Sequence, residues 1–334
     1  MSYPLGWSLI KRVLVRRERW PGGYDVKCFP LVRRGEQVQA DQPALRLERA
    51  SFHETLTDVP RLSLPTIAAQ GLPGVITRRE YKQDKYLAAG LRGKVVGVTV
   101  RGSVVIESQV AIVGGAVGAG RQVAGPLTIW HQPGVRQEQP YIPPGAILVV
   151  PGSVNLSILR QAAVSGLAGV VASSISAREL EYFLHTNLID LLYCPNPMLT
   201  LPYLPPLTVL LTEGLGSMAM PTRTLDLLRK YQGTTALLAG VTSVRARVFP
   251  ELVISLPAEE IAEGQPAGKP DMELLPGALV RVCSGEHEGA LGELDYLFAH
   301  QQLFPSGIRT RAARVCLEDG SHLVVPLSLL ERIG

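Results

Sequence analysis

Residues 145–241 alternate short apolar runs with stretches of helical spacing, and this alternation restricts the fold more than any other feature of the chain. Apolar runs joined by helices are typical of βα units on a parallel sheet. We therefore predict a central parallel α/β domain over residues 145–256. The predicted strands are residues 146–150, 169–172, 207–211 and 235–238, and the predicted helices are residues 155–165, 177–185 and 222–231.

Polar residues stand where three of these predicted strands end. Ligands of parallel sheets bind outside the carboxyl ends of the strands, so hydroxyls, the carboxylate of Glu213 and backbone N–H groups could line a small pocket there. The competing interpretation, which we favour, is that the hydroxyls cap the following helices. Ser153 and Ser176 stand where such caps belong, and Thr222 is expected to cap the last helix. The pocket candidates are Ser153, Ser173, Ser174, Thr212, Glu213, Gly214 and Gly216.

The sequence carries no strong catalytic signature. No histidine or cysteine is placed to make a nucleophile–base pair, and no Gly-x-Ser-x-Gly elbow is present. The four cysteines have no metal-ligand spacing, and the six histidines form no ligand pair on a helix. We therefore assign no catalytic residue and expect neither a metal nor a cofactor, so the sequence favours a protein that is not an enzyme.

Positive charge is concentrated in the first third of the chain. Residues 1–100 hold 17 Lys or Arg and 9 Asp or Glu, a net charge of +8, whereas residues 101–334 hold 16 and 20, a net charge of −4. A basic region can meet RNA, DNA or another anionic partner, although such charge is more often a solvated face. Alternate positions of a strand face opposite sides, so the arginines of residues 11–19 should divide between two sides, which permits only weak nucleic-acid binding. The candidate anion contacts are Lys11, Arg12, Arg16, Arg17, Arg19, Arg33 and Arg34.

Hydropathy and the N-terminal residues favour a cytoplasmic protein. No apolar run approaches the roughly 18 residues that a membrane-spanning helix requires. Residues 7–10 are largely apolar and precede Lys11 and Arg12, which is the reverse of the order in a signal peptide. We therefore expect cytoplasmic localisation and no membrane span.

Residues 32–48 carry a motif that resembles the hammerhead of barrel-sandwich hybrid domains. The motif reads Val-x-x-Gly-x-x-Val-x-x-x-Gln-Pro-x-x-x-x-Glu, and residues 93–100 fit the second half of such a domain. The resemblance implies an N-terminal β-rich, barrel-sandwich-like domain over residues 1–130, with an insertion at about 51–85. Carrier members of the family hold biotin or a lipoyl group on a lysine in a tight hairpin. Lys94 lacks that context, so we expect no such group on it.

Residues 276–294 resemble the KOW motif, written loosely Gly-x-x-Val-x-Val-x-x-Gly-x-x-x-Gly-x-x-Gly-x-Val. The resemblance implies an SH3-like β-barrel over residues 274–334, and KOW modules contact RNA, RNA polymerase or ribosomal protein. This segment holds five Lys or Arg and seven Asp or Glu, so a protein partner is expected as much as RNA. Arg309, Arg311 and Arg314 lie near one predicted hairpin and leave a local RNA contact open. The matched glycines, which we expect in its turns, are Gly277, Gly285, Gly289 and Gly292.

The predicted architecture is α/β plus β in three parts: an N-terminal β-rich barrel-sandwich-like domain, a central parallel α/β domain and a C-terminal SH3-like β-barrel. We expect a non-catalytic cytoplasmic binding or scaffold protein that joins a larger complex, such as one concerned with transcription or translation. Its partner is expected to be a protein, with weak nucleic-acid binding through residues 1–100. Two alternatives stay open: a small-ligand-binding protein or enzyme with its site near Glu213, and a structural subunit of a homo-oligomeric assembly. The sequence does not decide the oligomeric state.

Overall fold

The computed structural model of the chain describes residues 9–22, 26–49, 86–130, 142–246, 248–263, 274–283 and 286–332. The insertion predicted at about 51–85 and the predicted turn residue Gly285 lie outside the described residues. The described residues form a mixed α/β fold with many strands and few helices. The strands are β1 (Leu9–Arg19), β2 (Val26–Pro30), β3 (Gln37–Val38), β4 (Pro43–Arg49), β5 (Tyr86–Ala88), β6 (Gly93–Val98), β7 (Val104–Gly114), β8 (Val117–Ala119), β9 (Gln122–Ile129), β10 (Ile147–Val150), β11 (Gly169–Ile175), β12 (Thr208–Leu215), β13 (Thr235–Ala239), β14 (Glu251–Ser255), β15 (Leu279–Val282), β16 (Leu291–Leu297), β17 (Gln302–Leu303), β18 (Arg309–Thr310), β19 (Ala312–Leu317), β20 (His322–Pro326) and β21 (Leu330–Arg332).

The helices are short and lie mostly between the strands of the predicted α/β domain. No helix in the described part of the chain is long and apolar enough to cross a membrane. Short 3-10 helices lie at Pro197–Leu199, Leu201–Tyr203 and Leu327–Leu329. The α-helices are α1 (Leu156–Val164), α2 (Ala177–Leu184), α3 (Leu188–Leu192), α4 (Thr222–Lys230) and α5 (Ala258–Glu263).

Only one of the three predicted helix caps is present. Ser176 caps α2 as predicted, because its hydroxyl accepts a hydrogen bond from a backbone N–H of the first turn. Helix α1 is capped by the side chain of Asn155, so the prediction for Ser153 is wrong. Thr222 is already the first residue of α4, whose N-cap is Pro221 without a side-chain hydrogen bond, so that prediction is also wrong. In both helices the N-cap is instead the residue directly before the first helical residue, which is Asn155 for α1 and Pro221 for α4.

The chain divides into two units. The first comprises residues 1–14, 109–114 and 256–334, and the second comprises residues 15–108 and 115–255. Strands β1 and β7 therefore contribute residues to both units. The second unit contains the predicted α/β domain together with most of the predicted N-terminal domain.

The second unit is built around a mixed sheet whose strands follow the order β14-β13-β9-β10-β11-β12-β8. Strands β9 to β12 of this set are parallel, and β8, β13 and β14 are antiparallel to their neighbours. Every residue of β10 and β11 is buried. Parallel strands covered on both faces need such continuous apolar runs, which explains why the sequence predicted them. The core of the sheet includes Leu148, Val150, Leu159, Val170, Leu180, Phe183, Val209 and Leu211.

Two features of this sheet differ from the prediction. Residues 235–238 lie in β13, which runs antiparallel to β9 and not within the parallel set. Strands β8 and β9 come from the predicted N-terminal domain, yet they pair with β12 and β10. The predicted boundary between residues 130 and 145 therefore does not separate two sheets. A short apolar run predicts a buried strand but carries no information about its direction or its partner.

The strands between residues 26 and 107 form two further groups in the second unit. Strands β2, β4 and β5 make an antiparallel sheet in the order β2-β4-β5. Strand β6 pairs antiparallel with β3 and with residues 104–107 of β7. Gly35 lies in the turn before β3 with a φ of +92°, a conformation that favours glycine. Its N–H donates to the carbonyl oxygen of Val95 at 2.7 Å, which attaches this turn to β6.

The first unit contains a five-stranded antiparallel sheet in the order β20-β19-β16-β15-β21. Strands β19 and β20 form a hairpin, and Gly320 has a φ of +82° in its turn. Helix α5 also belongs to this unit. The sheet buries a core of Ala278, Val280, Val282, Leu294, Ala313, Val315, Val325 and Leu330.

Candidate functional site

The structure brings the three predicted serines together at one end of the parallel strands. Ser153 follows β10, and Ser173 and Ser174 lie in the neighbouring β11. The Oγ atoms of Ser153 and Ser174 are 2.8 Å apart. The other pocket candidates lie in β12 or directly after it, and they are Thr212, Glu213, Gly214 and Gly216.

The backbone of Met218 forms hydrogen bonds with the hydroxyls of Ser173 and Ser174. Its N–H donates to Ser174 Oγ at 2.8 Å. Its carbonyl oxygen accepts from Ser173 Oγ at 2.5 Å and lies 3.1 Å from Ser174 Oγ. Ser173 and Ser174 are both fully buried. The serine cluster therefore holds the segment around Met218 in place, and the chain itself uses the hydroxyls that were candidates for lining a ligand pocket.

The pocket candidates in β12 and directly after it also have structural roles within the chain. Thr212 Oγ1 donates to the carbonyl oxygen of Ala172 at 3.5 Å. Gly214 and Gly216 have φ values of +90° and +129°, which side chains rarely adopt. The N–H of Gly216 donates to the last carbonyl of β11 at 2.9 Å. Glu213 is half-buried within the strand. The glycines are thus needed for the path of the chain at the end of β12.

Most of the basic residues of β1 are engaged within the protein. In the second unit, Arg16 pairs with Glu107 at 2.7 Å, and Arg17 pairs with Glu251 at 2.6 Å. In the first unit, Arg12 donates to the side chain of a glutamine in β7 at 3.1 Å and to two carbonyl oxygens of α5 at 3.1 and 3.0 Å. These contacts neutralise or occupy three of the guanidinium groups that the sequence analysis assigned to an anion.

Arg19 is enclosed in the second unit with only 2% of its surface exposed. Its guanidinium donates to the carbonyl oxygen of Ala88 at 2.8 Å and to the backbone and side-chain oxygens of Gln122 at 3.2 and 2.9 Å. Burial lowers the pKa of Arg19 to about 10, because desolvation disfavours the charged form. The prediction that Arg19 contacts an anionic partner is therefore wrong, and its role is structural.

A depression of about 510 Å³ on the second unit gathers basic side chains from three separate segments. Strand pairing sets Lys94 of β6 opposite Glu107 of β7. The turn at Gly35, which is bonded to β6, brings Arg34 to the same place. The depression is lined by Arg16, Arg34, Gly35, Lys94, Val95, Val96 and Glu107.

Arg34 and Lys94 carry the uncompensated charge of this depression. Both are exposed. Within the part of the chain that the structure describes, neither side chain makes an ion pair or a hydrogen bond. The carboxylate that lines the depression belongs to Glu107, which already pairs with Arg16. Three cations and one carboxylate thus face the same space, which is suited to an anion.

Sequence reasoning did not assign Lys94 to this site. Lys94 was considered only as a possible carrier lysine, whereas the residue lies within β6 and not at the tip of a hairpin. Arg34 was predicted as an anion contact, and its proximity to Lys94 depends on the pairing of β3 with β6. The remaining predicted anion contacts, Lys11 and Arg33, are exposed.

The C-terminal glycines have two different roles. Gly277 and Gly289 lie in turns with φ values of +91° and +86°. Gly292 lies within β16, so the expectation that it occupies a turn is wrong. A Cβ atom at Gly292 would come 2.4 Å from the carbonyl oxygen of Cys316, so glycine permits the close approach of β19 there. Arg314 pairs with Asp295 at 2.6 Å.

Among the described residues, no group of three or more His, Cys, Asp or Glu side chains is arranged to hold a metal ion. His185 ends α2 as an exposed left-handed residue with a φ of +55°.

No protein-family model matches the chain, and no curated protein or solved structure matches it either.

Proposed function

We propose that this chain is a non-catalytic binding protein that joins a larger complex by binding an anionic partner at Arg34 and Lys94. The observation that carries the proposal is that both side chains line one depression whose carboxylate is already paired with Arg16. Positive charges that share a concave surface raise the local potential and attract anions. A bound anion would offset the repulsion among the three cations.

The alternative site near Glu213 has weaker support. A ligand there would have to replace the hydrogen bonds between Met218 and the two buried serines. A buried polar group that loses its partner costs about 1–3 kcal/mol. The serine cluster therefore favours a structural role, and no observation favours catalysis at this end of the sheet.

We further propose that the C-terminal sheet acts as a KOW-like SH3-type module that contacts a protein. Five antiparallel strands around an aliphatic core support this assignment. The ion pair of Arg314 with Asp295 reduces the positive charge that the sheet offers to RNA. We propose that the protein carries out this function in the cytoplasm, in an assembly such as one concerned with transcription or translation.

The test measures binding of a fluorescently labelled inorganic polyphosphate to the full chain at about 50 and 200 mM salt. The variant is Arg34→Ala with Lys94→Ala. The matched control is Arg160→Ala with Arg223→Ala, which removes the same charge from exposed positions on α1 and α4. Thermal melting of each variant checks that the fold is intact.

The wild type is expected to bind with a dissociation constant on the order of 10⁻⁴–10⁻⁶ M and to weaken as salt rises, because each neutralised phosphate releases counterions. The Arg34→Ala/Lys94→Ala variant is expected to bind about tenfold more weakly, whereas the control changes by less than about twofold. Equal losses in both variants, or no binding by the wild type, would contradict the proposal.

A further inference from the structure

The three-stranded sheet of β2, β4 and β5 carries a row of aromatic and basic side chains on one face. Phe29 of β2 is paired with Arg46 of β4, and Arg46 is paired in turn with Tyr86 of β5. Residues directly opposite each other in an antiparallel sheet have side chains on the same face, with Cβ atoms about 4.5–5.5 Å apart. The three side chains therefore form one continuous row across the sheet.

The aromatic rings of this row are exposed, although the sheet has a buried face that could have taken them. Phe29 is 37% exposed and Tyr86 is 55% exposed. On the opposite face, Cys28 and Leu45 are buried. Aromatic rings left in water are unfavourable in the isolated protein, and both rings of this row leave part of their surface open to a partner.

Arg46 stands on the middle strand of the row, and its side chain lies over the Phe29 ring. Its guanidinium carbon lies 5.0 Å from the centre of the Phe29 ring, within cation–π distance. Its Nη2 atom lies 3.1 Å from Glu48 Oε1, and its side chain is still 47% exposed. Lys27 stands opposite Glu48 on the same face. Two cations and one carboxylate thus accompany the rings, so the row combines flat surfaces with a positive balance.

The row lies close to the depression at Arg34 and Lys94. Phe29 and Arg34 are five positions apart in the chain, and an extended chain spans at most about 3.6 Å per residue. Their Cα atoms are therefore within about 18 Å of each other. A short strand of nucleic acid is long enough to span this distance.

We propose that the row of Phe29, Arg46 and Tyr86 is a platform on which the bases of a single-stranded nucleic acid stack, while its phosphates are bound at Arg34 and Lys94. Single-strand binding proteins combine aromatic stacking with a basic groove in this way. A duplex hides the faces of its bases, so it cannot use the rings. This inference rests on the proposed function and adds the identity of the anionic partner.

The experiment measures fluorescence anisotropy of labelled oligonucleotides with the full chain. Oligonucleotides of about twelve thymidines or uridines are compared with abasic strands of the same length and with a duplex, since single-strand sites commonly span about 4–16 nucleotides. The tighter of the thymidine and uridine strands identifies DNA or RNA as the partner. The abasic strand carries the same phosphates and therefore reports the electrostatic part of binding alone.

Two double variants distinguish the loss of ring stacking from the loss of the fold. Phe29→Leu with Tyr86→Leu keeps apolar side chains but removes the flat rings. Phe29→Tyr with Tyr86→Phe exchanges the two rings and keeps stacking. Tyr86→Leu alone, at the more exposed ring, serves if circular dichroism shows that the double leucine variant does not fold.

The wild type is expected to bind the base-containing strand about tenfold more tightly than the abasic strand and the duplex. The leucine variants are expected to lose this preference and to keep the affinity for the abasic strand. The exchanged variant, Phe29→Tyr with Tyr86→Phe, is expected to retain the preference for the base-containing strand.

Equal affinity of the wild type for base-containing and abasic strands overturns the platform. If Arg34→Ala/Lys94→Ala weakens both strands in that case, the proposed function still stands. No binding of any strand or of polyphosphate overturns both and favours a protein partner. A preference that survives in the leucine variants also overturns the platform.

Discussion

Arg17 and Glu251 form an ion pair with two hydrogen bonds, from Arg17 Nε to Oε1 at 2.6 Å and from Nη2 to Oε2 at 2.8 Å. The adjacent Arg16 pairs with Glu107 on another strand. Successive residues of a strand face opposite sides, so two neighbouring arginines reach carboxylates of two different strands. The basic run of β1 therefore contributes to the stability of the second unit more than to a single binding patch.

Replacing Arg17 by alanine is expected to lower the free energy of unfolding by about 1–2 kcal/mol, because both hydrogen bonds to a charged partner are lost. Urea denaturation measures the change. Arg229→Ala is the control, since Arg229 and Asp226 are 57% and 61% exposed and their pair should contribute less than about 0.5 kcal/mol. Equal losses in the two variants would show that the paired geometry at Glu251 adds no stability.

Ser174→Ala is expected to loosen the segment around Met218. The N–H of Met218 loses its acceptor, and a cost of about 1–2 kcal/mol follows. The segment should then be cleaved faster in limited proteolysis, because local opening becomes easier. Ser153→Ala, at an exposed position, is the control and should have a smaller effect. Unchanged proteolysis in the Ser174 variant would contradict the structural role of the serine cluster.

Cys28 is expected to react slowly with thiol reagents in the folded protein. Its burial raises the pKa of the thiol above the ordinary value of 9.0; Arg19 opposes this shift and Glu18 adds to it. Only the thiolate is nucleophilic, so the exposed Cys283 should react first. Mass spectrometry after brief labelling at mildly alkaline pH identifies the modified residue. Rapid labelling of Cys28 would contradict the burial of this thiol.

The same pKa shift predicts a dependence of stability on pH. The unfolded thiol loses its proton near pH 9.0, whereas the folded thiol keeps it to higher pH. The folded state therefore binds more protons above that pH, and stability falls as the pH rises. The contribution of Cys28 is complete below pH 9.0. Relative to Cys28→Ala, the wild type should lose stability more steeply in urea denaturation above this pH, and parallel curves would contradict the prediction.

Gly289→Val is expected to lower the stability of the C-terminal sheet by about 1–3 kcal/mol, because a β-branched residue is strained at positive φ. Nothing lies within 4 Å of a Cβ atom at this position, so the change reports backbone strain alone. Gly289→Asn should cost less, since asparagine tolerates the left-handed conformation. Thermal melting of the full chain compares the two. A valine variant as stable as the asparagine variant would show that the turn does not need this conformation.

Lys94 is expected to carry neither biotin nor a lipoyl group. Carrier lysines lie in tight hairpins, and this residue lies within β6. The intact mass of natively expressed protein tests the expectation. A mass excess equal to either group, mapped to Lys94, would contradict it and would also remove one of the two cations proposed to bind the anion.

The parallel strands and the main helices could be predicted because their signals are local. Strands β10 and β11 are buried along their whole length and therefore read as continuous apolar runs. Helices α1, α2 and α4 repeat apolar residues at helical spacing, and their observed ends differ from the predicted ends by at most one residue. The direction of β13 could not be predicted, because it depends on pairing with β9 and β14.

The sequence by itself determined where the buried strands and helices form, since these depend on neighbouring residues, and it determined that the basic charge lies in residues 1–100. Only the tertiary structure decided which of those charges a partner can use. Arg17 and Arg19 look alike in sequence, yet one pairs with Glu251 and the other is buried against Gln122. Their partners come from distant segments of the chain. Long-range strand pairing brings those segments together, and no local pattern records it.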